Sequence, residues 1–406
     1  MPPTPPTDTL PYAKDGLIRR SFGLKSEIME DLDTDYHSAI TTRIRENGNR
    51  WEMGGLRLRL AAEFGFCYGV DKAIDLSYET RRRFPDKRLY LTGEIIHNQR
   101  VNRRLLEMDY RFLSGQYAKG SEIDEIRPED VVVLPAFGVE TGLLQRLRDI
   151  GCIIVDTTCG SVMHVWKRVE RYAREGFTSV IHGKWFHEET IATCSHVTQH
   201  EGGRYLVVLD KEEARQVCDF LRNGQGAQGL QEKFTKEISE GFDFTRDLEK
   251  IGVANQTTML SSESLEIGAM VREAMAERRG EAYAAENFRS FDTICHATQD
   301  RQDAVLEMMR EPPDVMIVVG GLNSSNTGHL CEIASQHCPT YYIDDASRLL
   351  SPREIMHKPP EADAAMVTSS DWLPECRPIE IGLTAGASTP NKLIGEVVER
   401  LAQWEL

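Results

Sequence analysis

Basic charge, long apolar runs and closely paired cysteines are all scarce or missing in this sequence of 406 residues. Lysine and arginine number 48 against 64 aspartates and glutamates, a formal net charge of −16. That balance argues against general nucleic-acid binding, which needs a basic footprint. It leaves only local patches, Arg81-Arg82-Arg83, Lys87-Arg88 and Arg103-Arg104, and a solvated helix face is the ordinary reading of such runs. No apolar stretch is long enough to span a bilayer. The start, Met1-Pro-Pro-Thr-Pro-Pro-Thr-Asp8, has neither the basic region nor the apolar core of a secretory signal, and Glu27, Glu30, Asp31 and Asp33 argue against a transit peptide. A cytoplasmic protein with no membrane partner is expected.

The nine cysteines are an odd number, and no C-x-x-C pair occurs among them. Zinc-finger spacing, bacterial ferredoxin spacing and the tight trio of radical S-adenosylmethionine enzymes are all missing. The spacing does not suit a disulfide framework, so reduced thiols are expected. No G-x-G-x-x-G follows a strand-like run, which removes the usual dinucleotide fingerprint.

What is present is one local pattern in three copies. The stretches are Glu63-Phe-Gly-Phe-Cys67-Tyr-Gly-Val, Val155-Asp-Thr-Thr-Cys159-Gly-Ser-Val and Phe291-Asp-Thr-Ile-Cys295-His-Ala-Thr. Each cysteine follows a short strand-like run and opens an amphipathic helical pattern. A helix N-terminus lowers a thiol pKa and presents a thiolate. Three such thiolates could converge on one metal centre, and three protein ligands on a four-iron cluster would leave one iron open to a substrate. The plainer alternative is that small buried residues simply suit strand ends. A zinc site fits less well, because cysteines 92 and 136 positions apart suit a composite centre better than a finger.

From about Leu58 the chain alternates short Val- and Ile-rich runs with helical patterns. The strand candidates are Arg88–Leu91, Val131–Pro135, Ile153–Asp156, Thr178–Ile181, Tyr205–Leu209, Ile251–Ala254, Val315–Val319, Thr340–Ile343, Ala365–Thr368 and Ile379–Leu383. Such alternation implies βαβ units and parallel sheets. Residues 1–57 read as an appendage, a disordered start followed by helix. The low-complexity string Asn223-Gly-Gln-Gly-Ala-Gln-Gly opens an insertion or surface excursion over 223–250. The expected organisation is an extension (1–57), three α/β units (58–151, 152–289 and 290–388) and a C-terminal helix (389–406).

Ligands bind at the carboxyl ends of strands in open parallel sheets. Here those ends carry Gly320-Gly-Leu-Asn-Ser324-Ser325-Asn326-Thr327-Gly328 and Thr384-Ala-Gly-Ala-Ser388-Thr389-Pro390, each before a helical pattern. Hydroxyls, amides and backbone N–H groups in such loops suit an anion. Helix capping alone needs one such residue, whereas the Asn-Ser-Ser-Asn run supplies four, which points to phosphate or diphosphate. His97 follows a strand-like segment in Gly93-Glu-Ile-Ile-His97-Asn98. His187 and Glu189 lie together in Gly183-Lys-Trp-Phe-His187-Glu-Glu189-Thr, a pair able to contact an anion and move protons. Gln256-Thr257-Thr258 again sets hydroxyls after a strand.

Together these motifs resemble the LytB (IspH) family, the 4-hydroxy-3-methylbut-2-enyl diphosphate reductases, over about residues 58–400. The carriers are Gly-Phe-Cys67-Tyr-Gly-Val, Glu94-Ile-Ile-His97-Asn98, Asp156-Thr-Thr-Cys159, His187-Glu-Glu189-Thr, Gln256-Thr257-Thr258, Asp292-Thr-Ile-Cys295-His-Ala-Thr, Asn323-Ser-Ser-Asn326 and Thr384-Ala-Gly-Ala-Ser388. The resemblance implies three related parallel-sheet α/β units in a pseudo-threefold, trefoil-like arrangement around a central iron–sulfur cluster. It implies Cys67, Cys159 and Cys295 as ligands of a [4Fe–4S] cluster, which oxidation converts to [3Fe–4S]. His97, His187, Ser324, Ser325, Asn326 and Ser388 would hold the diphosphate, and Glu189 assisted by Thr257 would supply protons. The implied activity is reductive dehydroxylation to isopentenyl and dimethylallyl diphosphate, with ferredoxin or flavodoxin as electron donor. Phe137 stands where many bacterial members carry a second diphosphate-binding histidine. The long N-terminal extension and the 223–250 insertion look like the plant and cyanobacterial branch. Two other readings stand beside this one: a redox-neutral iron–sulfur hydratase and a non-enzymatic iron–sulfur sensor.

Overall fold

The computed structural model describes residues 10–120, 122–291, 293–360, 364–375 and 377–404. The Pro/Thr-rich start at residues 1–8, Asp292 of the third cysteine motif, Cys376 and the last two residues of the C-terminal segment lie outside them. The fold is α/β, with three parallel sheets distributed over two compact units.

The first unit takes the chain up to Ala136, the segment Ile150–Thr157 and the chain from Asp300. One of its sheets runs Tyr110–Phe112, Leu89–Leu91, Val131–Leu134, Ile153–Asp156, every neighbour parallel. The other runs Arg50–Met53, Leu56–Leu60, Ile379–Ala385, Val315–Val319, Thr340–Ile343, and only its outer hairpin, Arg50–Met53 with Leu56–Leu60, is antiparallel. Leu89–Leu91, Val131–Leu134 and Val315–Val319 are buried at every position. Parallel strands covered on both faces need such unbroken apolar runs, which is why these stood out in the sequence. The expected strand Ala365–Thr368 differs. The observed strand is Val367–Ser370, and it pairs antiparallel with Glu354–His357 in a small three-stranded sheet. Its side chains are largely exposed, so an apolar-run criterion points a little upstream.

Residues 10–57, expected as an appendage, are built into this unit. Ile18 is fully buried; its N–H donates to the Ile154 carbonyl (3.0 Å) and its own carbonyl accepts from Asp156 N–H (2.8 Å). The segment thereby adds a bridge to the edge strand Ile153–Asp156. Arg19 pairs with Asp156 at 2.6 Å. The helix Lys25–Tyr36 buries Ile28, Leu32 and Tyr36, a strict four-residue repeat, and the Tyr36 and Tyr78 rings meet edge-on at 5.9 Å. Four-residue spacing on a short helix gives only a narrow apolar stripe, so periodicity in the sequence was weak.

The arginine run 81–83 ends the helix Tyr68–Arg83. Arg81 donates to the carbonyls of Phe84, Pro85 and Lys87, and Arg82 pairs with Asp31 at 3.0 Å. Cations there complement the C-terminal end of the helix dipole.

The second unit comprises Phe137–Asp149 and Thr158–Gln299. Its parallel sheet runs Phe288–Ser290, Ile251–Asn255, Thr178–His182, Tyr205–Val208. A Cβ at Gly252 would lie 2.5–2.7 Å from the ring of Tyr172, whose hydroxyl donates to the Val253 carbonyl (3.1 Å), so the close approach of helix Gly160–Arg174 to this strand requires glycine. The stretch 223–250 begins with Gly224 in the left-handed conformation (φ 69°), closing the helix Lys211–Asn223. It is less of an excursion than its polarity suggests, because Phe234, Phe242 and Phe244 are buried in the core of the unit. Among the described residues no helix is long and apolar enough to cross a membrane.

Candidate active site

In the first unit, four strand-end segments meet. Cys67 is the N-cap of helix Tyr68–Arg83, and its backbone N–H donates to the Ala387 carbonyl at 3.1 Å. Ala387 N–H in turn donates to Oδ1 of Asn326 at 2.8 Å. With its oxygen so used, the Asn326 amide nitrogen is buried and has no partner among the described residues. A buried donor left unpaired costs about 1–3 kcal/mol, so this amide is set for an acceptor that comes from outside the chain. Ser324 caps helix Ser325–Ser335, its Oγ accepting from Thr327 N–H at 3.3 Å. Ser325 and Asn326 form the first helical positions, where backbone N–H groups have no intrahelical acceptor and favour an anion. Ser388 Oγ donates to the His97 carbonyl at 3.1 Å. His97, Ser324, Ser325, Asn326 and Ser388 are all buried. The structure therefore gathers five of the six sequence-expected diphosphate residues, together with Cys67, around the strand ends of one unit.

Glycine makes this gathering possible. A Cβ at Gly321 would stand 2.9 Å from the His97 carbonyl carbon and closer still to its oxygen, and one at Gly386 would stand 3.1 Å from Thr327 Cβ and closer to its hydroxyl. Sequence reasoning had left three participants unassigned. Glu94 accepts from Gln116 Nε2 (2.8 Å) and Asn323 Nδ2 (3.0 Å), and its Oε2 is 3.2 Å from His97 Nδ1. Burial alone would raise the Glu94 pKa, but the hydrogen bonds from His97, Gln116 and Asn323 outweigh it and hold the carboxyl below its ordinary value. Glu94 and Asn323 lay inside quoted motifs; Gln116 had no sequence signal.

In the second unit the sixth diphosphate candidate, His187, is the N-cap of helix Glu188–Thr198, and its Nδ1 accepts from Glu189 N–H at 3.1 Å. Glu189 is 2% exposed. Its carboxylate takes Thr257 N–H at 2.6 Å on one oxygen and the Thr257 hydroxyl at 2.9 Å on the other. Thr257 O accepts from Cys295 N–H at 3.4 Å, which ties the acid to the cysteine loop. Gln256 Oε1 accepts from Lys184 N–H (3.1 Å) and Thr190 Oγ1 (3.2 Å), bracing the His187 loop. Phe137 sets its ring edge-on to His187 at 6.0 Å, an apolar neighbour where a histidine would offer a donor. Cys159 is the N-cap of helix Gly160–Arg174, and Cys295 precedes helix His296–Met308, its Sγ accepting from Thr298 N–H at 3.3 Å.

The donor set separates from the other described cysteines. Cys67, Cys159 and Cys295 are partly exposed, each directly before a helix, and none is bridged. Cys152, Cys194, Cys218 and Cys331 are buried, and burial pushes the Cys152 thiol up to about 11, Cys218 to about 12 and Cys194 further up; Cys338 is partly exposed but follows a helix rather than opening one, and burial raises its thiol too. A soft metal centre takes thiolates, so the three helix-opening cysteines suit an iron–sulfur group and the other five described cysteines do not.

Comparison with known proteins agrees with this chemistry. The family described as LytB protein matches residues 58–402. The 4-hydroxy-3-methylbut-2-enyl diphosphate reductase of Thermosynechococcus vestitus is 46% identical over 391 residues, covering 96% of this chain and 95% of the relative. Those of Crocosphaera subtropica and Gloeobacter violaceus are also 46% identical, over 94% and 95% of this chain and 93% and 91% of theirs. A solved structure of (E)-4-hydroxy-3-methyl-but-2-enyl diphosphate reductase, described as the terminal enzyme of the non-mevalonate pathway, superposes with a TM-score of 0.52 at 26% identity over 86% of this chain and 99% of that one. The Plasmodium falciparum reductase shares the fold, with a TM-score of 0.60 at 19% identity over 86% of this chain and 89% of its own.

Proposed function

The chain belongs to the LytB family of iron–sulfur enzymes and is an oxidoreductase, reducing 4-hydroxy-3-methylbut-2-enyl diphosphate at the last step of the non-mevalonate isoprenoid pathway, and on that premise we propose the roles of its residues. The reaction takes two electrons and two protons. The allylic C–O bond breaks, its oxygen leaves as water, and a C–H bond forms at either end of the allyl unit, giving isopentenyl or dimethylallyl diphosphate.

Cys67, Cys159 and Cys295 would hold a [4Fe–4S] cluster, which when bound would supply single electrons and Lewis acidity to the reaction. Asn326 Nδ2, the Ser324, Ser325 and Ser388 hydroxyls, the helix N-terminus they surround, His97 and His187 bind the diphosphate. That group is remote from the breaking bond, so its binding energy serves positioning. Glu189 delivers protons, and the Thr257 hydroxyl is the relay on its second oxygen. Burial keeps both away from bulk water. Phe137 packs edge-on against His187, so the position that carries a second diphosphate-binding histidine in many bacterial members offers no imidazole donor. The electrons come from a one-electron carrier, ferredoxin or flavodoxin, and the protein works in the cytoplasm.

The observation that best supports this reading is the unpaired Asn326 amide buried at a helix N-terminus among serine hydroxyls. The test is anaerobic turnover of the substrate with a reduced low-potential donor. Consumption of two electrons per isopentenyl plus dimethylallyl diphosphate formed is expected. Turnover without any reductant would favour the hydratase reading, and absence of diphosphate binding would favour the sensor.

A further inference from the structure

The small antiparallel sheet of the first unit delivers one side chain to the loop that leads into helix Ser325–Ser335. Lys358 directly follows its strand Glu354–His357. The Lys358 backbone N–H donates to the Tyr342 carbonyl at 2.8 Å, a bridge that fastens the small sheet to the edge strand Thr340–Ile343. The Lys358 ammonium donates to the Leu322 carbonyl at 3.0 Å. The Tyr342 hydroxyl donates to the preceding carbonyl, that of Gly321, which also accepts from Ser324 N–H at 2.8 Å. Two successive carbonyls just before Ser324 are thus gripped by the side chains of one bridged pair. A trans peptide points its C=O and the next N–H in opposite directions, so fixing the Gly321 and Leu322 carbonyls also aims the Leu322 and Asn323 N–H groups. Neither N–H has an acceptor among the described residues.

Charge adds to geometry. Lys358 is half-buried, and among the described residues its ammonium has no carboxylate partner. No other lysine or arginine among them donates to residues 320–324. The same loop touches a carboxylate, since Asn323 Nδ2 donates to Glu94 Oε2 at 3.0 Å. A carboxylate there opposes an incoming anion, and a lysine on the loop offsets it as a compact point charge. We infer that Lys358 is a positioning residue for the diphosphate: it holds the 320–323 loop through the Leu322 carbonyl and brings a fixed positive charge beside the N-terminus of helix Ser325–Ser335. The assignment rests on the proposed diphosphate role of Ser324, Ser325 and Asn326.

The test uses the anaerobic holoenzyme with inorganic pyrophosphate as competitive inhibitor, at about 50 mM and about 300 mM salt, which differ widely in screening. Lys358→Met keeps the stem and loses both charge and donor. Its inhibition constant should rise roughly tenfold at the lower salt, as for a lost charge-assisted contact. KM should rise with it while kcat holds, and the gap from wild type should narrow at the higher salt. Lys358→Gln, neutral but polar, should weaken binding in the same way and replaces the methionine variant if that one does not fold. Lys358→Arg keeps charge and donor and should restore most of the affinity. Ile355→Val loosens the core of the same small sheet without touching the loop and should leave the constant unchanged. A wild-type constant in the neutral variants, an arginine variant as weak as they are, a gap independent of salt, or equal weakening by Ile355→Val would overturn the inference. Asn326→Ala separates the two levels. If it binds pyrophosphate as wild type does, the diphosphate reading of the loop fails; if it loses affinity while Lys358→Met and Lys358→Gln do not, only the role of Lys358 fails.

Discussion

Gly321→Ala tests whether loop stacking builds the anion site. The new Cβ would stand 2.9 Å from the His97 carbonyl carbon, where ordinary contact begins at 3.4 Å, and nearer still to the oxygen. At least half an ångström of movement is therefore required, and approaching 1 Å once the oxygen is cleared. Gly321 cannot easily yield, because its own carbonyl accepts from the Tyr342 hydroxyl, which is fully buried. The His97 loop takes the displacement. Its carbonyl is the acceptor for Ser388 Oγ at 3.1 Å, so one move disturbs two diphosphate residues. Overpacking of this size costs about 1–3 kcal/mol of stability, and a misplacement near 1 Å costs on the order of a hundredfold in rate. Anaerobic steady-state kinetics should show a raised KM and a kcat/KM down about a hundredfold, with iron content and secondary structure unchanged. A wild-type KM in a variant that melts normally would refute the reasoning, since the loops would then not need glycine to meet.

Two further outcomes follow from separate contacts. Glu189→Gln should keep iron and pyrophosphate affinity, because the backbone N–H at position 189 still donates to His187 Nδ1, while turnover drops at least about a hundredfold; near-normal turnover would remove Glu189 as proton donor. Ile18→Ala should lower the melting temperature by a cost of about 2–5 kcal/mol, the usual range for emptying a buried aliphatic site, without moving the pyrophosphate inhibition constant; an unchanged melting temperature would mean that the extension is not part of the core.

The strand Val315–Val319, buried at every position, was legible because burial imposes an unbroken apolar run; Ile153–Asp156 and Thr340–Ile343 also have the expected bounds, though they are only partly buried at their starts. Val367–Ser370 was misplaced because it is an exposed outer strand with no such constraint. The N-terminal segment was read as an appendage because part of its attachment is the main-chain bridge at Ile18, which leaves no trace in side-chain pattern, and because Ile28, Leu32 and Tyr36 give its helix only a narrow apolar stripe. Phe234, Phe242 and Phe244 show the same limit, since isolated aromatic anchors in a polar stretch carry no period. At the site, side-chain chemistry was visible as motifs, whereas what orients it was not. Gln116 meets Glu94 from 22 residues away, and Gly321 matters only because a neighbouring loop comes against it.

The central claim is that Cys67, Cys159 and Cys295 share one iron–sulfur group. Iron and acid-labile sulfide should be counted per chain in anaerobically isolated protein, for the wild type and for Cys67→Ser, Cys159→Ser and Cys295→Ser, with Cys194→Ser as the control. About four of each are expected in the wild type and control, as for a [4Fe–4S] group, with loss in all three variants. A full complement in any one of those three would contradict the account.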